Sequence, residues 1–215
     1  MKAYVITLPG HKKSDKVAER CIASGARNNL VIEKFYGFTP KDNPRQMFSV
    51  QKMSSKNFDE KYSISERAMA AFLSHRELWK KSVSINQPVA VFEHDAVMVN
   101  SFPNVLNFDK VMTFSKPSYG KYNTPTHLGV GPLVQKPYFG GAHGYIVSPR
   151  GARKLLEQAQ YGAGPTDVFL HIDNFPWLQE YAPWICEAKD TFTTIQRTTG
   201  CLAKHNYTEA FEIIS

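Results

Sequence analysis

The sequence predicts an α/β fold, with a mostly parallel central sheet flanked by helices. Three observations indicate this fold. Near the N-terminus a strand, a helix and a second strand follow one another, which is the order of a βαβ unit and implies parallel strands. The wholly apolar run at 88–92 is typical of a strand buried on both faces. The 215 residues, 42% of them hydrophobic, are enough to enclose a substantial core.

The βαβ unit accounts for the first elements of the chain. Residues 3–8 are almost continuously apolar and predict the first strand, which a Pro-Gly pair ends. Residues 14–26 place apolar side chains at helical spacing, with Ser14 or Asp15 as the expected N-cap. Residues 30–36 are rich in apolar and β-branched side chains, and a glycine closes this second strand.

A longer helix and three further strands come next. Residues 65–83 carry apolar side chains along one helical face, and Ser65 is the expected N-cap. The apolar strand at 88–92 runs into two acids, and β character resumes at 96–99. Residues 111–114 predict another short strand.

The last part of the chain contains one clear strand–helix pair. A Gly-rich approach leads into a strand at 144–147, and Ser148 followed by proline begins a helix at 149–159. The segment 167–172 is compatible with either a helix or a strand, and the pattern from 187 onward is mixed.

Two long segments, 39–63 and 115–140, show no regular period. Both are rich in polar residues or proline, so we expect loops, and loops of this length are commonly functional. We find no linker that divides the chain. Residues 1–200 are therefore predicted to form a single domain, followed by a C-terminal arm at 201–215.

Charge and composition exclude several classes of protein. The net charge of +7 favours anionic ligands and is compatible with peripheral contact at a membrane surface. The basic residues are dispersed, which argues against a nucleic-acid-binding protein. No apolar run is long enough to span a membrane, and the N-terminus reads as a strand rather than a signal peptide. The scattered cysteines Cys21, Cys186 and Cys201 predict ordinary thiols in a reducing compartment, and so a cytoplasmic protein.

The sharpest local feature is the sequence Glu93-His94-Asp95 at the carboxyl end of the apolar strand. The carboxyl ends of strands form the ligand crevice of open α/β sheets. In an extended chain, Glu93 and Asp95 would point to the same side and could share a divalent cation such as Mn²⁺ or Mg²⁺. The alternative is a strand end that merely turns polar where it meets water.

Two further features carry weaker signals. His75 lies on an otherwise apolar helix face, which favours a structural histidine, with bracing of a metal loop as the second interpretation. The glycines around His143, at 140–144, would let the backbone approach a ligand closely. This pattern is neither a dinucleotide fingerprint nor a P-loop, so a structural turn is the default interpretation.

Three titratable residues follow one another closely near residue 170: Asp167, His171 and Asp173. If the segment is helical, Asp167 and His171 share a face, which suits general acid–base catalysis or metal binding. The alternative is that Asp167 only caps a helix after the preceding Gly-Pro-Thr turn.

Four segments in this order are similar to glycosyltransferase family 25, which includes bacterial lipooligosaccharide and procollagen galactosyltransferases. The second contains Leu-Ser-His-Arg-Glu-Leu-Trp and the fourth Gly-Tyr-Ile-Val-Ser-Pro-Arg-Gly-Ala. The segments lie at 4–8, 65–79, 91–97 and 144–167. The resemblance spans roughly residues 3–200 and departs from the family at one point. The family's acidic motif usually reads Glu-Asp-Asp, and its middle position here is His94.

The resemblance implies a GT-A-like nucleotide-sugar-binding fold and transfer of a sugar, commonly galactose, from a UDP-sugar with the help of Mn²⁺ or Mg²⁺. On this match Glu93, His94 and Asp95 hold the cation, and Asp167 is the catalytic base, with His171 and Asp173 as alternatives. The expected contacts to the nucleotide-sugar donor are Thr7, Leu8, Glu93 and His143.

The leading hypothesis is therefore a metal-assisted glycosyltransferase that moves galactose or glucose from a UDP-sugar to a glycan or glycolipid acceptor. The departure at His94 raises a second hypothesis, a catalytically inactive GT-A-like module that binds a nucleotide or a glycan. A metal hydrolase is a third and weaker idea, because no recognised ligand spacing such as His-Glu-x-x-His is present. The sugar, the linkage and the oligomeric state are not predicted.

Overall fold

The computed structural model describes residues 1–58, 63–189 and 192–196, together with the backbone of 212–213. The helices are α1 Lys12–Arg27, α2 Pro44–Val50, α3 Ser65–Ile85, α4 Pro149–Gly162 and α5 Thr166–Phe169. The strands are β1 Lys2–Thr7, β2 Glu33–Tyr36, β3 Val89–Glu93, β4 Ala96–Met98, β5 Val111–Thr113, β6 Gly129–Pro132, β7 Gly144–Val147, β8 Gln179–Ala182, β9 Cys186–Ala188, β10 Phe192–Thr193 and β11 Glu212–Ile213.

A seven-stranded sheet in the order β2-β1-β3-β7-β5-β8-β6 forms the centre of the molecule. β1 pairs in parallel with both β2 and β3, and β5 pairs in parallel with β8. β7 runs antiparallel to β3 and β5, and β6 runs antiparallel to β8. Five strands therefore point in one direction, and the predicted α/β fold with a mostly parallel sheet is confirmed.

Two apolar clusters cover the two faces of this sheet. One contains side chains of α3 and α4 packed on Tyr4, Val91 and Tyr145. The other contains side chains of α1 packed on Val5 and Phe92. Successive residues of β1 and β3 thus enter opposite clusters, as side chains along a strand must. β3 is buried on both faces from Val89 to Phe92, which explains its continuous apolar run.

The first helix begins earlier than predicted. Its N-cap is His11, whose Nδ1 accepts a hydrogen bond from the backbone N–H of Ser14, 3.1 Å away. Neither Ser14 nor Asp15 is the cap. The Ser14 side chain is fully buried and bonds the end of β1 instead, so its hydroxyl serves tertiary structure. The other predicted serine cap is also wrong, because Ser65 is the first residue of α3 rather than its N-cap.

The segment 39–63 is not the loop that its polar composition predicts. It contains α2 and two short 3₁₀ turns, Pro40–Asp42 and Lys56–Phe58, and Asp59–Tyr62 lie outside the described residues. Phe48 and Phe58 are both 1% exposed, and their rings meet edge to face with centroids 5.2 Å apart. Two apolar side chains this far apart produce no regular pattern in the sequence. Phe48 and Phe58 nevertheless fix the segment to α3.

The other non-periodic segment, 115–140, is irregular apart from the edge strand β6. The predicted strand at 96–99 is confirmed as β4, but it leaves the central sheet and pairs with β9. A two-residue turn at His94 and Asp95 separates it from β3.

Ser148 caps α4 as predicted, because its Oγ accepts from the N–H of Gly151 at 3.1 Å.

Most of the predicted C-terminal arm, 201–215, lies outside the described residues. Of this arm, Glu212–Ile213 pairs in parallel with Phe192–Thr193. Cys21 and Cys186 are buried free thiols, and Cys201 lies outside the described part. Among the helices described here, none is both long enough and apolar enough to cross a membrane.

The packing of α2 can be tested by truncating its buried ring. Phe48→Ala removes a side chain that is 1% exposed, so we expect the free energy of unfolding to fall by about 3–5 kcal/mol. The matched control is Val50→Ala on the same helix, where Val50 is 75% exposed and a change within about 0.5 kcal/mol is expected. Urea unfolding measures both. Equal effects in the two variants would show that α2 is not anchored in the core.

Candidate active site

The carboxyl end of β3 places Glu93 in contact with a buried hydrogen-bond chain. Oε1 of Glu93 lies 3.0 Å from Nε2 of His75, which is 1% exposed. Nδ1 of the same imidazole lies 3.0 Å from the hydroxyl of Tyr145, and Nε1 of Trp79 donates to that hydroxyl at 2.7 Å. Two residues of α3 and one of β7 therefore converge on the acid at the end of β3.

The donors in this chain determine the tautomer of His75. Trp79 can only donate, so the hydroxyl oxygen of Tyr145 is the acceptor of that bond. Within the described part of the chain, the acceptor available to the Tyr145 hydrogen is Nδ1 of His75. His75 consequently carries its proton on Nε2 and donates it to Glu93. Burial lowers the pKa of His75 to about 3, so the ring is neutral.

Asp167 lies at the start of α5, close enough to Glu93 for their charges to interact. Its Oδ2 accepts a hydrogen bond from the hydroxyl of Tyr119, and its Oδ1 accepts from the N–H of Val168 at 2.9 Å. Burial raises the pKa of Asp167 above its ordinary value. Burial also raises the pKa of Glu93, and the charge of Asp167 adds to that shift. The helix cap at this end is Pro165, so Asp167 is not the N-cap.

The other two predicted catalytic residues lie farther out. His171 follows α5, and its ring stacks on Tyr138 with centroids 5.9 Å apart. Tyr138 in turn stacks on Tyr119, the partner of Asp167. Asp173 has a side chain that is 86% exposed, and its Oδ2 lies 3.4 Å from Nδ1 of His171. Because α5 ends at Phe169, Asp167 and His171 do not share a helix face.

A second group of predicted residues meets on the α1 side of the sheet. Nδ1 of His94 lies 2.9 Å from Oγ of Ser14. The same hydroxyl accepts from the N–H of Leu8 at 2.9 Å and lies 3.0 Å from Oγ1 of Thr7. Burial and the positive charges of His11 and Arg20 lower the pKa of His94 to about 4. His94, Thr7 and Leu8 therefore form one network through a serine that sequence reasoning had assigned to a cap.

The three residues of the Glu-His-Asp motif do not converge on one point. The turn at 94–95 interrupts the extended chain, so the alternation that would place Glu93 beside Asp95 does not apply. Burial raises the pKa of the Cys21 thiol, and the charge of Asp95 adds to that shift, whereas Glu93 is bonded to His75. Across the described ranges, no group of three or more His, Cys, Asp and Glu side chains is arranged to hold a metal ion.

His143 is buried beside the end of β3. Its carbonyl accepts from the N–H of Glu93 at 3.1 Å, and its side chain is 1% exposed. Neither ring nitrogen has a hydrogen-bond partner within the described part of the chain. Gly141 has a φ of +103°, and a Cβ there would lie 2.4 Å from Oγ of Ser118. Tight packing therefore explains this glycine, in agreement with the structural-turn interpretation.

The arrangement offers two distinct capabilities. Two nearby carboxyl groups of raised pKa can divide acid and base roles, because they resist being ionised together. The α1 side of the sheet offers the neutral imidazole of His94, and Asp95 follows it in the turn after β3. The hydrogen bond between Nδ1 of His94 and Oγ of Ser14 fixes the orientation of this ring, and a fixed ring orientation is what a metal-binding histidine requires.

Comparison with known proteins identifies the family of this chain. The model of glycosyltransferase family 25, described as an LPS biosynthesis protein, matches residues 1–170. The chain belongs to glycosyltransferase family 25. This confirms the family resemblance, and the matched range contains Glu93, His94, Asp95 and Asp167 but ends before His171.

The comparison with solved structures includes a galactosyltransferase. The chain is similar to a Drosophila β1,4-galactosyltransferase 7 mutant, solved in complex with manganese, UDP-Gal and xylobiose. The two share 8% identity over 88% of this chain and 71% of that chain, with a TM-score of 0.42. No curated protein sequence matches the chain significantly.

Sequence reasoning had missed two residues of this candidate site, Tyr119 and Tyr145. Tyr119 lies in the non-periodic segment 115–140, where no local pattern marks one tyrosine among several. Tyr145 lies in an apolar strand and reads as a core residue. The Leu-Ser-His…Leu-Trp helix did contain a signal, since His75 and Trp79 are four residues apart and so share a helix face.

The hydrogen-bond chain predicts the behaviour of Tyr145→Phe. Loss of the hydroxyl leaves Nε1 of Trp79 and Nδ1 of His75 buried without this partner, so the free energy of unfolding should fall by about 2–4 kcal/mol. Tyr161→Phe is the control, because Tyr161 is 74% exposed and should change stability by less than about 0.5 kcal/mol.

Imidazole ¹⁵N spectra test the assigned tautomer independently of stability. The unmodified protein should show His75 neutral at pH 6 with its proton on Nε2, because burial holds its pKa near 3. A proton on Nδ1 would contradict the assignment.

Proposed function

We propose that this member of family 25 transfers a hexose, galactose or glucose, from a UDP-sugar to a hydroxyl of a glycan or glycolipid acceptor. The observation that carries the proposal is the proximity of Asp167, Glu93 and Tyr119 at the carboxyl end of the sheet. A buried carboxylate of raised pKa, oriented by a tyrosine hydroxyl, is suited to accept a proton from an incoming hydroxyl.

The donor is proposed to bind on the α1 side, at the ends of β1 and β3. Thr7 ends β1 there and Leu8 follows it, and His94 and Asp95 follow β3. Ser14 joins the two strand ends through its bonds to Leu8 and His94, so the crevice is held in one geometry. Strand ends of this kind are where open α/β sheets bind nucleotides.

We place the divalent cation on the α1 side of the sheet, with two residues of the Glu-His-Asp motif rather than all three. His94 and Asp95 would hold it, and Glu93 is engaged by His75. Two protein ligands suffice for Mn²⁺ or Mg²⁺ when phosphate oxygens and water complete the coordination. The chemistry that the cation supplies when bound is neutralisation of the charge on the departing diphosphate.

The transfer itself follows from the position of Asp167. The acceptor oxygen forms a bond to the anomeric carbon of the donor sugar as the bond from that carbon to the UDP oxygen breaks. Asp167 takes the proton of the acceptor hydroxyl, and UDP leaves with the bonding electrons. The hydroxyl of Tyr119 orients Asp167, and the Nε2–H of His75 holds Glu93 beside it.

The second candidate function is an inactive module that binds a nucleotide or a glycan, and the histidine at position 94 favours it. Titration of UDP with and without Mn²⁺ separates the two. Metal-dependent binding supports the transferase, and binding that ignores the metal supports the module. Transfer activity that appears only in His94→Asp would identify the natural protein as the module.

A cytoplasmic location is part of the proposal, supported by the free thiols Cys21 and Cys186.

Asp167→Asn tests the catalytic base. The amide keeps an oxygen for the bonds from Tyr119 and Val168 but cannot take a proton, so transfer should fall by at least about a hundredfold. UDP affinity and melting temperature should stay close to those of the unmodified protein. Asp109→Asn, on an acid that pairs with Lys110 and Arg150, controls for the loss of one surface charge.

Asp167→Asn also discriminates among the three predicted catalytic residues. If the variant melts early but transfers sugar normally per folded molecule, Asp167 is structural. The base would then be sought at His171 or Asp173, by the same substitution series.

Asp95→Asn tests the cation site. The change preserves the side-chain shape but removes the charge, so the enhancement of UDP affinity by Mn²⁺ should be lost while metal-free UDP binding is retained. Calorimetric titration of UDP at increasing Mn²⁺ measures this, with Asp109→Asn again as the control. Undiminished Mn²⁺-dependent binding in a folded Asp95→Asn protein would remove Asp95 from the site.

A further inference from the structure

A cleft of about 620 Å³ opens beside the proposed transfer site and has no role in the reaction described above. Its walls include Lys121, Tyr122, Gln135, Lys136 and Tyr138. We propose that this cleft binds the acceptor glycan through an anionic substituent, a phosphate or a carboxylate. The proposal rests on the transferase function and specifies the class of acceptor.

Two lysines give the cleft its charge preference. Among the described residues, no carboxylate lies within ion-pair distance of Lys121 or Lys136. Lys136 is only 8% exposed, and its Nζ lies 5.1 Å from the ring centroids of both Tyr119 and Tyr138. Aromatic faces and one tyrosine hydroxyl at 3.3 Å compensate a buried ammonium only partly. An anionic ligand would supply the remaining stabilisation of the Lys136 ammonium.

Gln135 adds an unsatisfied polar group to the same wall. Its side chain is 1% exposed, and its Oε1 has no hydrogen-bond partner within the described ranges. A buried amide oxygen without a partner costs stability, which a bound hydroxyl group would recover. The cleft thus combines cations for an anionic substituent with an acceptor for a sugar hydroxyl.

The wall is rigid before any ligand binds. The carboxylate of Glu180, which is fully buried, accepts from the N–H groups of Val134 at 3.1 Å and Gln135 at 3.2 Å. Asn123 joins the opposite wall to this one, because its N–H donates to the carbonyl of Gln135 and its Nδ2 to that of Val134. A preformed site loses little entropy on binding.

Side-chain contacts connect the cleft to the proposed base. Tyr138 lines the cleft and stacks on Tyr119, which donates to Asp167. The N–H of Ile172, another cleft residue, donates to the carbonyl of Pro137 at 2.8 Å, which joins the wall to the segment after α5. The proposed donor contacts lie instead around Ser14 of α1. An acceptor held in the cleft would therefore reach Asp167 from the side opposite the nucleotide.

The test compares binding of glucose 6-phosphate, glucuronate and glucose by ligand-observed NMR and calorimetry. Both anionic sugars should bind at least about tenfold more tightly than glucose, as expected for hydrogen bonds to charged groups. Lys136→Gln should remove most of that preference, and exposed Lys121→Gln should lower it by at least about threefold with no loss of stability. Lys16→Gln, on the exposed face of α1, is the matched control and should leave the preference unchanged.

The tighter binder of glucose 6-phosphate and glucuronate identifies the substituent as a phosphate or a carboxylate. A preference for either anionic sugar over glucose supports the site. Equal affinity for all three sugars would overturn the proposal, as would unchanged preference in Lys121→Gln and folded Lys136→Gln. Reduced UDP affinity in these variants would assign the lysines to the donor diphosphate instead and also overturn it. A protein that selects anionic sugars through these lysines but fails to bind UDP would retain the cleft and refute the transferase.

Discussion

The position of a partly buried carboxyl group at the end of β3 is the constraint on which the site depends. β3 is enclosed on both faces through Phe92, and Glu93 follows directly. An acid withdrawn from much of the solvent is stabilised by a hydrogen-bond partner or a proton. Trp79, Tyr145 and His75 supply the partner, and their directed donors leave one orientation for the imidazole. The helix α3 and the strands β3 and β7 are therefore tied together at the point where chemistry is proposed.

The turn at His94 and Asp95 divides the proposed work between the two faces of the sheet. Before the turn, Glu93 faces the layer of α3 and interacts with Asp167. After it, His94 bonds α1 through Ser14. Three adjacent residues thus reach opposite sides, with the proposed nucleotide contacts on one and the proposed base on the other. This separation suits the proposed displacement, in which the acceptor oxygen attacks the anomeric carbon from the side opposite the departing UDP.

The segment 115–140 contributes residues both to the surroundings of the proposed base and to the proposed acceptor cleft. It contains Tyr119, which bonds Asp167, and the lysines and glutamine of the proposed acceptor cleft. Glu180 of β8 holds this segment through two backbone N–H groups. Irregular backbone must find its hydrogen bonds outside regular ladders, and a buried carboxylate provides them here.

The sequence by itself determined the βαβ start, the buried strand β3, the helices α3 and α4 and the family of the chain, because each of these depends on local periodicity or on motif order. It also marked Glu93, His75 and Asp167 as candidates. Only the tertiary structure decided which of them meet. Contacts such as Tyr119 with Asp167 join positions 48 residues apart, and Ser14 and His94 are 80 apart. No local pattern encodes such pairs, since loop paths and helix packing select them after the periodic elements have formed.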